Sequence, residues 1–159
     1  MSNDLEQNKR LIKSVEPLIK SEKIKLDSLM DVLEKKNREF DKFKTIYDDK
    51  FLKKNELLSK IESISNSGGD LDLSVLSNVK YYLSDVNEDL IEASSSLRSK
   101  KQAVDRAATA VLECHVDVKL MEKYKKNKTH EYEQEVDKRE LREIEDMWLQ
   151  NNNDHNKDI

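Results

Sequence analysis

The apolar residues of this chain recur every seven positions. Counting from Leu5, the row Leu5, Ile12, Ile19, Leu26, Leu33, Phe40, Tyr47, Lys54, Ile61 is apolar at eight of nine places. The row three residues further on, Asn8, Val15, Glu22, Leu29, Lys36, Phe43, Lys50, Leu57, Ile64, is apolar at five of nine. After a break the pattern resumes. Leu76, Leu83, Leu90, Leu97, Val104, Val111 and Val118 are all apolar, and so are six of the seven in Val79, Val86, Ala93, Lys100, Ala107, Cys114, Met121. A strict period of seven is the seam of a left-handed coiled coil. It predicts an all-α fold, a long antiparallel two-helix coiled-coil hairpin with an overhanging C-terminal helix.

The break is Ser65-Asn66-Ser67-Gly68-Gly69-Asp70-Leu71-Asp72, the only strong cluster of turn residues in the chain. It divides a single hairpin domain over 1–159 into helix one at about 4–65, a loop at 66–73, helix two at about 74–150, and a disordered tail at 151–159. Ser74 or Asp72 can cap the second helix. Pro17 leaves two readings of the first. Either Ser14 caps a helix that begins near Glu16, or residues 4–13 are helical too and the helix bends at Pro17. Its register puts Pro17 opposite the seam.

A short loop makes the helices antiparallel, and this fixes which residues meet. If Ile61 lies near Leu76–Val79, Phe40 faces Leu97 to Lys100 and Tyr47 faces Leu90 to Ala93. The large rings Phe40, Phe43 and Tyr47 then meet the small run Ala93-Ser94-Ser95-Ser96. By the same register Leu5 reaches about Tyr132–Glu135, and the rest of helix two has no partner in its own chain. The expected form is a thin rod with one helix projecting from the terminal end. That projection carries Leu141, Ile144, Met147, Trp148 and Leu149, with positions 141, 144 and 148 on one face. Glu131–Asp146 holds eight acidic and three basic residues, a net of −5. An apolar face with a Trp on an unpaired helix predicts an external contact. The competing readings are packing in a dimer and fraying.

Composition narrows the picture. The 159 residues include two Gly and one Pro, where average usage gives roughly 11 and 8. So few turn formers exclude sandwiches, barrels and doubly wound folds. Charged residues make up 39% and apolar residues 36%, enough for a narrow seam and too few for a thick core. Net charge is −4, with 29 Lys and Arg against 33 Asp and Glu, which is no nucleic-acid binder's balance. The N-terminus has no apolar run of a secretory signal, and no stretch is long enough to span a membrane. The single Cys, Cys114, cannot form an internal disulfide or a zinc site. The expectation is a soluble, intracellular protein.

Candidate chemistry is sparse. His115, His130 and His155 are scattered, and Cys114 sits at a seam position. There is no phosphate loop, and Asp70 and Asp72 lack the rest of a calcium loop. The sequence therefore implies no enzyme, no cofactor and no metal. Asn127-Lys128-Thr129 matches a glycosylation sequon by chance. Five Lys lie in Lys119–Lys128, read as a solvated face or as a contact for an acidic partner. Tyr81 and Tyr82, off the seam beside the loop, form either a docking patch or a cover for Leu57 and Leu58.

The C-terminal half resembles a known family. Met121-Glu122-Lys123-Tyr124-Lys125-Lys126, then His130-Glu131-Tyr132-Glu133, run into Lys138-Arg139-Glu140-Leu141-Arg142-Glu143-Ile144-Glu145-Asp146-Met147. This is similar to the C-terminal signature of the type III secretion stalk proteins, the FliJ/YscO family. Val75-Leu76-Ser77-Asn78-Val79-Lys80-Tyr81-Tyr82-Leu83 resembles that family's pattern after its hairpin turn. The closing pair Glu145-Asp146 is reversed, and Pro17 is unusual. The details look more like the injectisome branch than the flagellar one.

The resemblance implies a hairpin similar to the γ subunit of rotary ATPases. It implies a central stalk that enters the pore of the hexameric export ATPase and reaches the large subunit of the export gate. It also implies a cytoplasmic place at the inner-membrane export apparatus. Some members bind export chaperones, and none hydrolyses anything itself. On this reading Leu141, Ile144, Met147 and Trp148 meet the ATPase, and Tyr81 and Tyr82 meet the export gate. The other reading of the residues is a generic scaffold or prefoldin-like chaperone hairpin with no role in secretion.

Overall fold

The computed structural model describes residues 2–66 and 73–155. They form two helices packed against each other, α1 (Ser2–Asn66) and α2 (Leu73–His155). The chain is thus an all-α helical hairpin. The expected loop and its two Gly lie outside the described residues.

The seam holds throughout. All eighteen of its positions in α1 and all fourteen in α2 are shielded at least in part. Among the described residues only Ile19, Val86, Cys114 and Val118 are buried, and none of them completely. Each seam residue touches one opposing helix and keeps an edge in water, so stability is spread along the interface instead of gathered in a core.

The described residues fall into two compact units. The first joins the described residues of Met1–Asp27 to those of Leu112–Ile159. Here Ile19, Cys114 and Val118 are buried. Lys125 Nζ donates to Glu16 Oε1 at 2.7 Å, and Lys23 lies 3.0 Å from Glu122. The second unit is Ser28–Val111, with Val86 buried. Lys100 Nζ donates to Glu39 at 3.2 Å and sits 5.1 Å over the Phe43 ring. Lys50 is 3.6 Å from Asp89. Phe40 shares a groove with Ser94, Leu97 and Arg98, with Lys101 5.8 Å over its ring. This is the expected register, with a large ring set against the small run.

The polar residues that interrupt the seam pin that register. Lys100, Lys50 and Glu22 each find a partner on the opposing helix, in Glu39, Asp89 and Cys114. A slip of one heptad would strand these charges beside apolar neighbours.

Three local expectations change. α1 runs unbroken from Ser2 through Pro17, so no helix starts near Glu16. Ser14 is not its cap, because its hydroxyl donates to the Leu11 carbonyl at 2.9 Å inside the helix. Pro17 offers no N–H to the Lys13 carbonyl, but it is exposed, so water can serve that carbonyl. Ser74 lies inside α2, which begins at Leu73, and the other expected cap, Asp72, lies outside the described residues. At the far end α2 continues to His155, so 151–155 are helical where a disordered tail was expected. Residues 156–159 lie outside the described part.

Candidate partner-docking faces

Pairing stops where the register says it should. Leu5 lines a groove with Tyr132 and Val136, flanked by Lys9, Arg139 and Glu143. Val136 is the last residue of α2 with any shielding, and 137–155 are all exposed.

Leu141, Ile144 and Met147 are each 60% exposed, Trp148 is 64% and Leu149 is 53%. At 100° per residue, Leu141, Ile144 and Trp148 lie on one strip of the helix surface, with Met147 and Leu149 on its two shoulders. Arg139 and Glu143 pair one turn apart at 3.4 Å and help hold this stretch helical. The acidic residues expected here surround the strip. An uncovered indole among aliphatic side chains is the composition of a contact surface.

Tyr81 and Tyr82 are 72% and 63% exposed. Adjacent helix positions diverge by about 100°, so the two rings point in different directions from the same turn. Leu58 is exposed too, and Leu57 is half-shielded.

The lysine run divides by function. Lys125 holds Glu16, and Lys128 donates to Glu131 at 2.8 Å while lying 5.9 Å over the Tyr124 ring. Glu131 thereby holds the Lys128 ammonium above its usual range. Lys119, Lys123 and Lys126 face outward and make no ion pair. One lysine of the five bridges the two helices, one pairs within α2, and the other three form an open basic strip.

Sequence reasoning passed over one feature. Leu112, Val116 and Leu120 are 65%, 49% and 60% exposed on the side of α2 away from the seam. Their spacing of four was readable, but a count confined to two positions per heptad looks past it. Over 111–121 the helix is apolar on both sides, a pattern that marks a second covered face.

Cys114 is buried, its thiol within reach of the Glu22 carboxylate at 3.6 Å and the Glu22 carbonyl at 3.7 Å. Burial, then the hydrogen bond and charge of Glu22, push the thiol above its ordinary range. That keeps it protonated and a poor nucleophile. His130 pairs with Gln134 at 3.0 Å, and His115 and His155 are exposed. Among the described residues no group of His, Cys, Asp and Glu could hold a metal ion, and no helix is long and apolar enough to cross a membrane.

No protein-family model, no curated protein and no solved structure matches this chain.

Proposed function

We propose that this chain is a central stalk of a type III secretion export apparatus, of the FliJ/YscO kind. It links the hexameric export ATPase to the large subunit of the export gate. The single observation that carries this reading is the uncovered apolar strip Leu141, Ile144 and Trp148, on a helix that outruns its partner by design of the register. A hairpin with no catalytic centre acts by touching other proteins, and its exposed apolar residues are where it does so.

The projecting end of α2, including Met147, enters the ATPase ring. Tyr81 and Tyr82, near the loop, engage the export gate. The open lysines 119, 123 and 126 suit an acidic partner such as an export chaperone. The chain works in the cytoplasm beside the inner membrane and hydrolyses nothing, because the partner ATPase supplies the free energy. In an injectisome it would be a virulence factor.

A pull-down of the tagged chain from the cytosol of its own cell tests this. A hexameric ATPase should co-purify with the wild type and be lost with Ile144→Ala/Trp148→Ala. A variant that still co-purified with and stimulated the ATPase would defeat the assignment of that face.

A further inference from the structure

We propose that α2 also pairs antiparallel with α2 of a second copy, through its outer face between Leu112 and Trp148, about a twofold axis at His130. This goes beyond the stalk reading and does not depend on it.

The first observation is alignment. At 100° per residue, Leu112, Val116 and Leu120 fall in the same arc of about 120° as Leu141, Ile144 and Trp148. All six are about half exposed or more. The outer face of one helix thus carries two apolar strips, separated by a polar stretch.

The second is that this face matches its own reverse. A twofold axis at His130 sets Val116 opposite Ile144 of the second copy and Leu112 opposite Trp148, and brings Leu120 within one residue of Leu141. Each apolar strip covers the other, twice over, as an isologous interface requires.

The third is charge. The same axis sets Lys123 opposite Asp137, and brings Lys119 and Lys126 within one residue of Glu140 and Glu133. All six side chains are exposed, and none is in an ion pair within its own chain. Asn127 comes within one residue of Gln134. One like-charged pair, Asp117 with Glu143, opposes the three complementary ones. A face running apolar, basic, acidic, apolar fits a second copy of itself better than a partner of uniform charge.

The seam side of α2 is taken by α1 and remains so in the pair. The pair hides Ile144 and Trp148, so self-association and ATPase docking exclude each other. The pair is then a resting form from which a partner draws the single chain.

Sedimentation equilibrium of the full chain at low ionic strength tests this. The mass should rise with concentration from one chain, 18.6 kDa, toward two, and fall back at high salt. Lys123→Asp and Asp137→Lys should each weaken the pair by roughly tenfold or more, with helicity unchanged, since each sets like charges opposed at two places. Mixing these two variants should restore a mixed pair, because each carries the charges the other lacks. Ile144→Asp should abolish pairing in every combination. A wild-type mass of one chain at all concentrations overturns the proposal. So does a pair indifferent to the charge variants, or a mixture that stays monomeric. Loss of ATPase binding without loss of pairing would tell against the stalk reading alone.

Discussion

Cys114 places its thiol 3.6 Å from the Glu22 carboxylate, across the seam, where both residues are shielded from water. A thiol can donate to a carboxylate, but a thiolate there would face a second negative charge in a desolvated gap. Burial and Glu22 both raise the thiol above its ordinary value of 9.0. The native chain should therefore react slowly with a thiol reagent such as Ellman's at neutral pH, and at once in denaturant. The raised folded value also sets a pH dependence. Stability from the protonated thiol is fully present below the ordinary thiol pKa and is lost as pH rises through the folded one. The difference in melting temperature between wild type and Cys114→Ala should shift against the wild type in alkaline solution. Equal alkaline slopes would remove Cys114 as the cause.

At low pH the sign reverses. Glu16, Glu39 and Glu122 are held below the ordinary carboxyl value of 4.5, chiefly by hydrogen bonds from Lys125, Lys100 and Lys23. Their contribution is present above 4.5 and is lost as pH falls through the lowered folded values. Helicity by far-UV circular dichroism should survive pH 5 and weaken progressively below 4.5. Replacing the three lysines by Met should flatten that acid limb. These pairs are wholly or partly exposed, so high salt should blunt the effect.

The seam and its register were legible because both follow from periodicity. Every position that the seven-residue count selects is shielded, including the polar exceptions Lys100, Lys50 and Glu22. The facing of Phe40 with the small run at Ser94 followed from the direction of the chain alone. Pro17 was not decidable. A cap signal at Ser14 competed with an uninterrupted seam, and propagation of an already packed helix won. Asn151–Asp154 looked like a tail because these residues are poor helix formers singly, yet they extend an existing helix without paying for nucleation. The strip at Leu112, Val116 and Leu120 was missed because it lies outside the seam that the count was built to find.

Register should be testable by exchange. Lys100→Glu sets two carboxylates together against the Phe43 ring, so the melting temperature should fall. Glu39→Lys on that background should recover most of the loss by restoring the pair in reverse. Recovery absent within the error of the melt would mean that Glu39 and Lys100 do not specify the alignment.

Truncations should divide the apolar residues into two classes. Ile19 is 8% exposed in the seam. Ile19→Ala should cost about 2 kcal/mol, the lower end for a buried aliphatic, because a two-helix seam can partly close the gap. Denaturant titration reads it directly. Ile144 and Tyr81 are 60% and 72% exposed, and Ala at either should stay within about 0.5 kcal/mol of wild type. A loss at Ile144 as large as at Ile19 would mean that the projecting face is already covered in the free chain.

Trp148 gives the projecting face its own reporter, being the only tryptophan. At 64% exposure, its emission in dilute solution should be red and readily quenched by iodide or acrylamide. Docking that buries the indole should shift the emission to the blue and protect it, whether the occupant is the ATPase ring or a second copy. The two are separated by what drives the change. Self-pairing should depend on the chain's own concentration and weaken in Lys123→Asp, whereas docking on the ATPase should saturate with added ATPase at a fixed low concentration of either chain. An emission already blue and unquenchable at the lowest concentration would show that Trp148 is not the free contact residue its exposure makes it.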